Sequence, residues 1–251
     1  MSLAVTAVAG VLGAGVQMPA QAAKPAAELQ LPAGARVGVV SVLDAEVTHF
    51  HAAKPVQSSF LKTYTVSWQP GVMLEQTLRE PLTQQGITVV PLAAPETLRR
   101  LREECFLDAN LAKGLSKECA APYAQLAASE RLAALIVLGP GLNNTQHAGG
   151  SRHKELPEYL RGFCVVTGAE GAVAPVLLTL TELLLITVTP TGVVLADREW
   201  GGAFTQSWTG FAAPADLRSL PDAQLDQLQP LYAALLGAQA GALLGHLQGT
   251  R

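Results

Sequence analysis

Apolar residues along the chain follow two rhythms, and the change from one to the other outlines the elements. RVGVVSV, starting at Arg36, is a short β-branched run and predicts the first core strand. AEVTHFHA then alternates and predicts an extension of that strand or a partner for it. SFLKTYTVSW alternates again, with Phe60, Lys62, Tyr64, Val66 and Trp68 on one face and Leu61, Thr63, Thr65 and Ser67 on the other.

The rhythm then becomes helical. Pro70 suits a first helical turn, Leu74, Leu78 and Leu82 recur every fourth residue, and Gly86 is a natural stop. Pro81 inside this stretch predicts a kink. GITVVPL predicts a strand, while APETLRRLREECF and APYAQLAASERL predict two further helices. ALIVLGPG is a short continuous apolar run, as expected of a strand covered on both faces. After a long polar loop at 141–162, RGFCVVTG, PVLLTLTELLLITVT and GVVLADREWGGAFTQSW predict a meander, turned at Thr189–Gly192 by Pro190 and Gly192. The last segment, PDAQLDQLQPLYAALLGAQAGALLGHLQ, predicts a long C-terminal helix interrupted early by Pro230. Helices interleave with strands in the first half, and strands run together in the second. The expected class is α/β or α+β: a mixed sheet with an antiparallel C-terminal meander and helices packed on it.

The apolar run Leu3–Val16, followed by Ala20-Gln21-Ala22, reads as a signal peptide over 1–22. Residues 23–35 read as a linker and 36–251 as a single globular domain. The run lacks the usual basic residue before it, so a membrane anchor is the alternative reading. It is shorter than the roughly 20 apolar residues a spanning helix needs. No cysteine near the cleavage point offers lipid attachment. The expected product is periplasmic or secreted and not an integral membrane protein.

Composition agrees with a folded domain: of 251 residues, 49% are hydrophobic and 15% charged, and the net charge is −3. That charge carries no basic footprint, which excludes a nucleic-acid partner as an expectation. Cys105 and Cys119 could close a disulfide loop of about 15 residues in an oxidising compartment, contributing about 3 kcal/mol. Two buried thiols are the alternative, and Cys164 reads as packing in an apolar strand.

RVGVVSV, the strand–helix–strand step to GITVVPL, and the hairpin LLLITVTPTGVVLADREW together resemble a group of bacterial envelope proteins. The group comprises the periplasmic α/β domains of the curli secretion-channel protein and the lipoprotein activators of penicillin-binding proteins. Its last hairpin has a Thr-Gly turn and a strand ending near Trp, matched by Thr191, Gly192 and Trp200. The resemblance covers residues 36–210. It departs from the group in the missing lipid-attachment cysteine and in the long polar loop. It implies a non-catalytic, protein-binding domain.

Four features carry candidate chemistry. His49 and His51 share a strand face, and imidazole is a common ligand of zinc, copper and nickel. A site would need a further ligand, from His147 or His153 in the long loop or from Asp44 or Glu46. The alternative is a pair of solvent-facing histidines on an edge strand. Glu182 stands on the apolar face of Leu178, Leu180, Leu184 and Ile186, where an unpaired carboxylate costs several kcal/mol. The hairpin register puts Arg198 diagonal to it, predicting a buried ion pair; a functional acid or a solvent-facing side chain are the alternatives. Gly237, Gly241 and Gly245 align on one helix ridge that admits close packing. Trp200, Phe204 and Trp208, with the 141–162 loop, are the expected interaction surface. No GxSxG, SxxK or HExxH occurs, and Ser151 beside His153 makes no catalytic geometry by adjacency alone. The expected function is that of a non-catalytic exported envelope protein that binds another envelope protein or itself. The alternative is a metal-binding protein or metal-dependent enzyme using His49 and His51 with a loop histidine; otherwise no cofactor is expected.

Overall fold

The computed structural model describes residues 31–53, 56–107, 114–141, 156–157, 159–168 and 175–247. The expected signal peptide, and the expected linker as far as residue 30, lie outside them. Among the described residues, nine strands form one mixed sheet: β1 (Arg36–Ser41), β2 (Glu46–His51), β3 (Phe60–Thr65), β4 (Thr88–Leu92), β5 (Ala134–Pro140), β6 (Gly162–Thr167), β7 (Val176–Thr189), β8 (Gly192–Trp200) and β9 (Thr205–Ser207). The class is α+β.

The sheet is built around β7, whose 14 residues are long enough to pair with two strands in succession on each side. On one side β5 runs antiparallel to residues 181–187 and β6 to residues 176–180. On the other, β8 pairs with 182–189 and β9 with 176–178. β1 lies parallel to β5, and β2 parallel to β6. β4 closes the first half beyond β1, in parallel, and β3 closes the second beyond β2, antiparallel. The Thr189–Gly192 turn forms as its residues require: Gly192 takes φ +138°, and the Thr189 hydroxyl donates to the Gly192 carbonyl at 3.1 Å.

Helices cover both faces. α1 (Pro70–Gln84) and the C-terminal α5 (Asp222–Leu247) pack on one. Leu74, Leu78 and Leu82 are wholly buried there, each contributing about 2 kcal/mol by leaving water. They meet Val37, Val39, Ile136 and Leu183 of the sheet and Leu228, Tyr232 and Leu236 of α5. α5 runs unbroken through Pro230, contrary to the interruption expected there. The cost of one missing helix donor is outweighed by this buried face. Gln239 is fully buried but satisfied: it accepts from the Thr181 hydroxyl at 2.9 Å and donates to the Glu199 carbonyl at 2.8 Å.

On the opposite face, the predicted helix APETLRRLREECF forms as two short pieces, α2 (Glu96–Arg100) and α3 (Arg102–Phe106), hinged at Leu101. α4 (Lys117–Glu130) follows, its first turn capped by the Ser116 hydroxyl, which accepts from the Cys119 amide. A disulfide joins Cys105 of α3 to Cys119 of α4. Leu98, Phe106 and Tyr123 pack here on Leu135, Val137, Leu184 and Ile186. Cys164 is a buried free thiol in a third cluster, with Phe50, Leu160, Val166 and Leu178. Among the described residues, no helix is long and apolar enough to cross a membrane.

Candidate functional site

The two histidines stand on β2 with Val47, and alternation places Glu46, Thr48 and Phe50 on the other face. β2 is not an edge: β3 flanks it on one side and β6 on the other. The alternative of a solvent-facing pair on an edge strand is therefore corrected, since His49 is fully buried and His51 half-buried. Both turn to one atom of β6, the Thr167 hydroxyl oxygen. His49 Nε2 lies 2.7 Å from it and His51 Nδ1 2.8 Å. A hydroxyl has a single proton to give, so one neutral ring accepts that proton while the other donates its N–H to the oxygen.

The surroundings of this pair are cationic. The Phe60 ring lies 5.2 Å from each imidazole, stacked on His51 and edge-on to His49. Arg218 sits over the Phe60 ring at 5.1 Å. Lys62, directly across from His49, donates to the Arg218 carbonyl and lies over the Tyr64 ring. Burial, and next the positive form of His51, push His49 down to about 4 from its ordinary 6.5. The Leu217 backbone opposes that shift, although His49 Nδ1 has no partner at hydrogen-bonding distance.

For metal binding, the two nitrogens do converge, but on a hydroxyl they already share. Asp44 is paired with Arg102, and Glu46 faces away from both rings. His147 and His153 lie outside the described residues. Among the described residues no three His, Cys, Asp or Glu side chains gather in metal-binding geometry.

Glu182 stands opposite Trp200 and Gly139, with its Oε1 3.5 Å from Arg198 Nη1. Burial pushes its carboxyl up to about 7, with Arg198 pulling down and Glu199 pushing up. The expected exposed aromatics are also corrected. Trp208 is 2% exposed, packed in the α1–α5 core and 5.0 Å from Phe211. Phe204 is half-buried against the same core, and Trp200 is half-buried over the third cluster. The physical reason lies in β9, which follows β8 along β7 and carries this segment under α5. Large ring areas leave water there. A Cβ at Gly237 would make only an ordinary 3.7 Å contact with Thr77 of α1, and one at Gly241 or Gly245 would meet nothing within 4 Å, so the close packing expected of this ridge does not require its glycines.

A cleft of about 110 Å³ opens where β1 and β5 end, bordered by Asp44, Arg102, Glu103 and Arg161. It is below the roughly 300 Å³ at which small-molecule sites begin. Comparison with protein-family models, curated proteins and solved structures finds no match.

The sheet edges distinguish one strand. β4 carries Pro91, which removes a donor from its outer side. β8 has a bulge opposite Leu185–Ile186 and is flanked by α4 and α5. β9 has three residues. β3 has six in unbroken register with β2, with neither proline nor bulge. Its residues Leu61–Thr63 are exposed, Leu61 at 42%. Beyond its ladder with β2, no backbone hydrogen bond engages it among the described residues. The alternation of FLKTYT marks a strand in the sequence, but its edge position depends on which strands pair far along the chain.

Proposed function

We propose that the chain is a non-catalytic, exported envelope domain that binds another protein, with β3 as the strand on which the partner docks. The observation that carries this reading is the β3 edge, which among the described residues pairs with β2 alone, beside three blunted edges. An unpaired row of N–H and C=O groups is a template for strand addition. The Cys105–Cys119 disulfide supports an oxidising compartment, periplasmic or secreted.

A photo-reactive residue placed at Thr63 is expected to cross-link a protein in intact producing cells, with the adduct in the extracytoplasmic fraction. The same residue at Thr88 on β4 is expected to give none. Adducts at both positions, or at neither, would overturn the reading.

A second reading rests on the convergence of His49 and His51. Zinc or copper would replace the Thr167 hydroxyl as their shared partner. Metal analysis of the purified chain is expected to find one equivalent under this reading, lost in the His49→Ala/His51→Ala variant. Less than stoichiometric metal, or metal retained in that variant, would rule it out.

A further inference from the structure

We infer that the strand added to β3 is an acidic, extended segment of a different protein, and not a second copy of this chain. The inference rests on the protein-binding reading above and names the partner's chemistry.

The argument begins with the faces of β3. Phe60, Lys62 and Tyr64 share one face; Leu61, Thr63 and Thr65 share the other. A strand from a second copy would run antiparallel about a two-fold axis, and matching faces would place its Lys62 opposite Phe60, Lys62 or Tyr64. Each arrangement brings the two ammonium groups directly opposite or one diagonal apart, within cross-strand reach. Arg218, held over Phe60, adds a further cation from each copy. An edge lysine is a recognised device against pairing of identical strands. It leaves the edge open to a strand of opposite charge.

The charges nearby set what that strand carries. Lys62 spends one of its three donors on the Arg218 carbonyl, leaving two for an incoming acceptor. Asp216, two residues before Arg218, accepts from the Arg218 amide and the Ser219 hydroxyl. The incoming strand therefore meets Lys62 and Arg218 on one face. On the other it meets Leu61, which sits across the ladder from Phe50. The complementary segment alternates Asp or Glu with apolar residues. Main-chain hydrogen bonds supply affinity, and the alternate side chains supply specificity.

The test uses the full chain and three fluorescein-labelled, end-blocked octapeptides: one alternating Glu with Val, one alternating Lys with Val, and the first with a central proline. By anisotropy the Glu peptide is expected to bind about tenfold more tightly than the Lys peptide, and the proline peptide not to bind. In Lys62→Glu, an exposed substitution whose fold is checked by circular dichroism, the preference is expected to reverse. Sedimentation of the native chain is expected to show no dimer that Thr63→Pro abolishes. Equal binding of both charges, an unchanged Glu-peptide affinity in Lys62→Glu, or a β3-dependent dimer would overturn the inference. Failure of the peptides with a Thr63 cross-link intact removes only the acidic chemistry. Failure of both removes the docking strand itself.

Discussion

The stability advantage of the native chain over a His49→Gln variant is expected to shrink by about 3 kcal/mol as pH falls from 6.5 to 4. The cause is local. His49 is fully buried, and the groups facing it are His51 on its own strand, Thr167 on β6, and Lys62 with Arg218 from β3 and the covering segment. None is an anion that would welcome an imidazolium. Between pH 6.5 and about 4 the unfolded chain holds a proton that the folded chain refuses, so stability falls as pH falls. Glu182 acts in the opposite sense. Its carboxyl, pushed up to about 7 by burial, keeps a proton in the folded chain that the unfolded chain has released above 4.5. It therefore lends stability at low pH that is lost as pH rises through 7. The two contributions oppose each other over their shared window, which flattens the native profile and hides both. Urea unfolding across pH 4 to 7.5 on the native chain, His49→Gln and Glu182→Gln separates them. The native-minus-variant difference should slope upward with pH for His49 and downward for Glu182. Parallel profiles for all three proteins would remove both assignments.

Local patterns in the sequence carried the parts of the fold that depend on near neighbours. The Leu74–Leu78–Leu82 stripe yields α1, and the Thr189–Gly192 turn yields the β7–β8 register that sets Glu182 against Trp200 and near Arg198. Periodicity assigns a residue to a face but does not say what covers that face. His49 shows the gap. Alternation correctly put it with His51, yet its burial follows from β6 pairing with β2 more than a hundred residues later, and from Leu217 and Arg218 closing over β3. Trp208 shows the same gap in reverse: it was expected on an interaction surface, while β9 carried it into the core. The β3 edge was equally hidden, because an edge is defined by the strand that is missing beside it. Its alternation was plain, and its availability emerged only after β4, β8 and β9 could be seen to be blunted.

Gly139→Ala is expected to destabilise the chain by about 3 kcal/mol, the upper end for one added methyl group in a packed core. A Cβ at this position of β5 would lie 2.4 Å from the Phe106 ring, so one of the two must move. β5 cannot, because it is hydrogen-bonded between β1 and β7 with every residue buried. Phe106 is 1% exposed, and its neighbour Cys105 is tied by the disulfide to α4. α3 therefore cannot retreat without carrying α4 and its contacts with it. Because the penalty is a collision between two named groups, a smaller side chain at the second should relieve it. Gly139→Ala/Phe106→Leu is expected to lose less stability than the two single variants together, with a coupling of about 1–2 kcal/mol. Urea unfolding with an unchanged m-value measures all three proteins on one scale. Additive losses, or a Gly139→Ala chain within about 0.5 kcal/mol of native, would show that this contact does not limit the packing of α3 on the sheet.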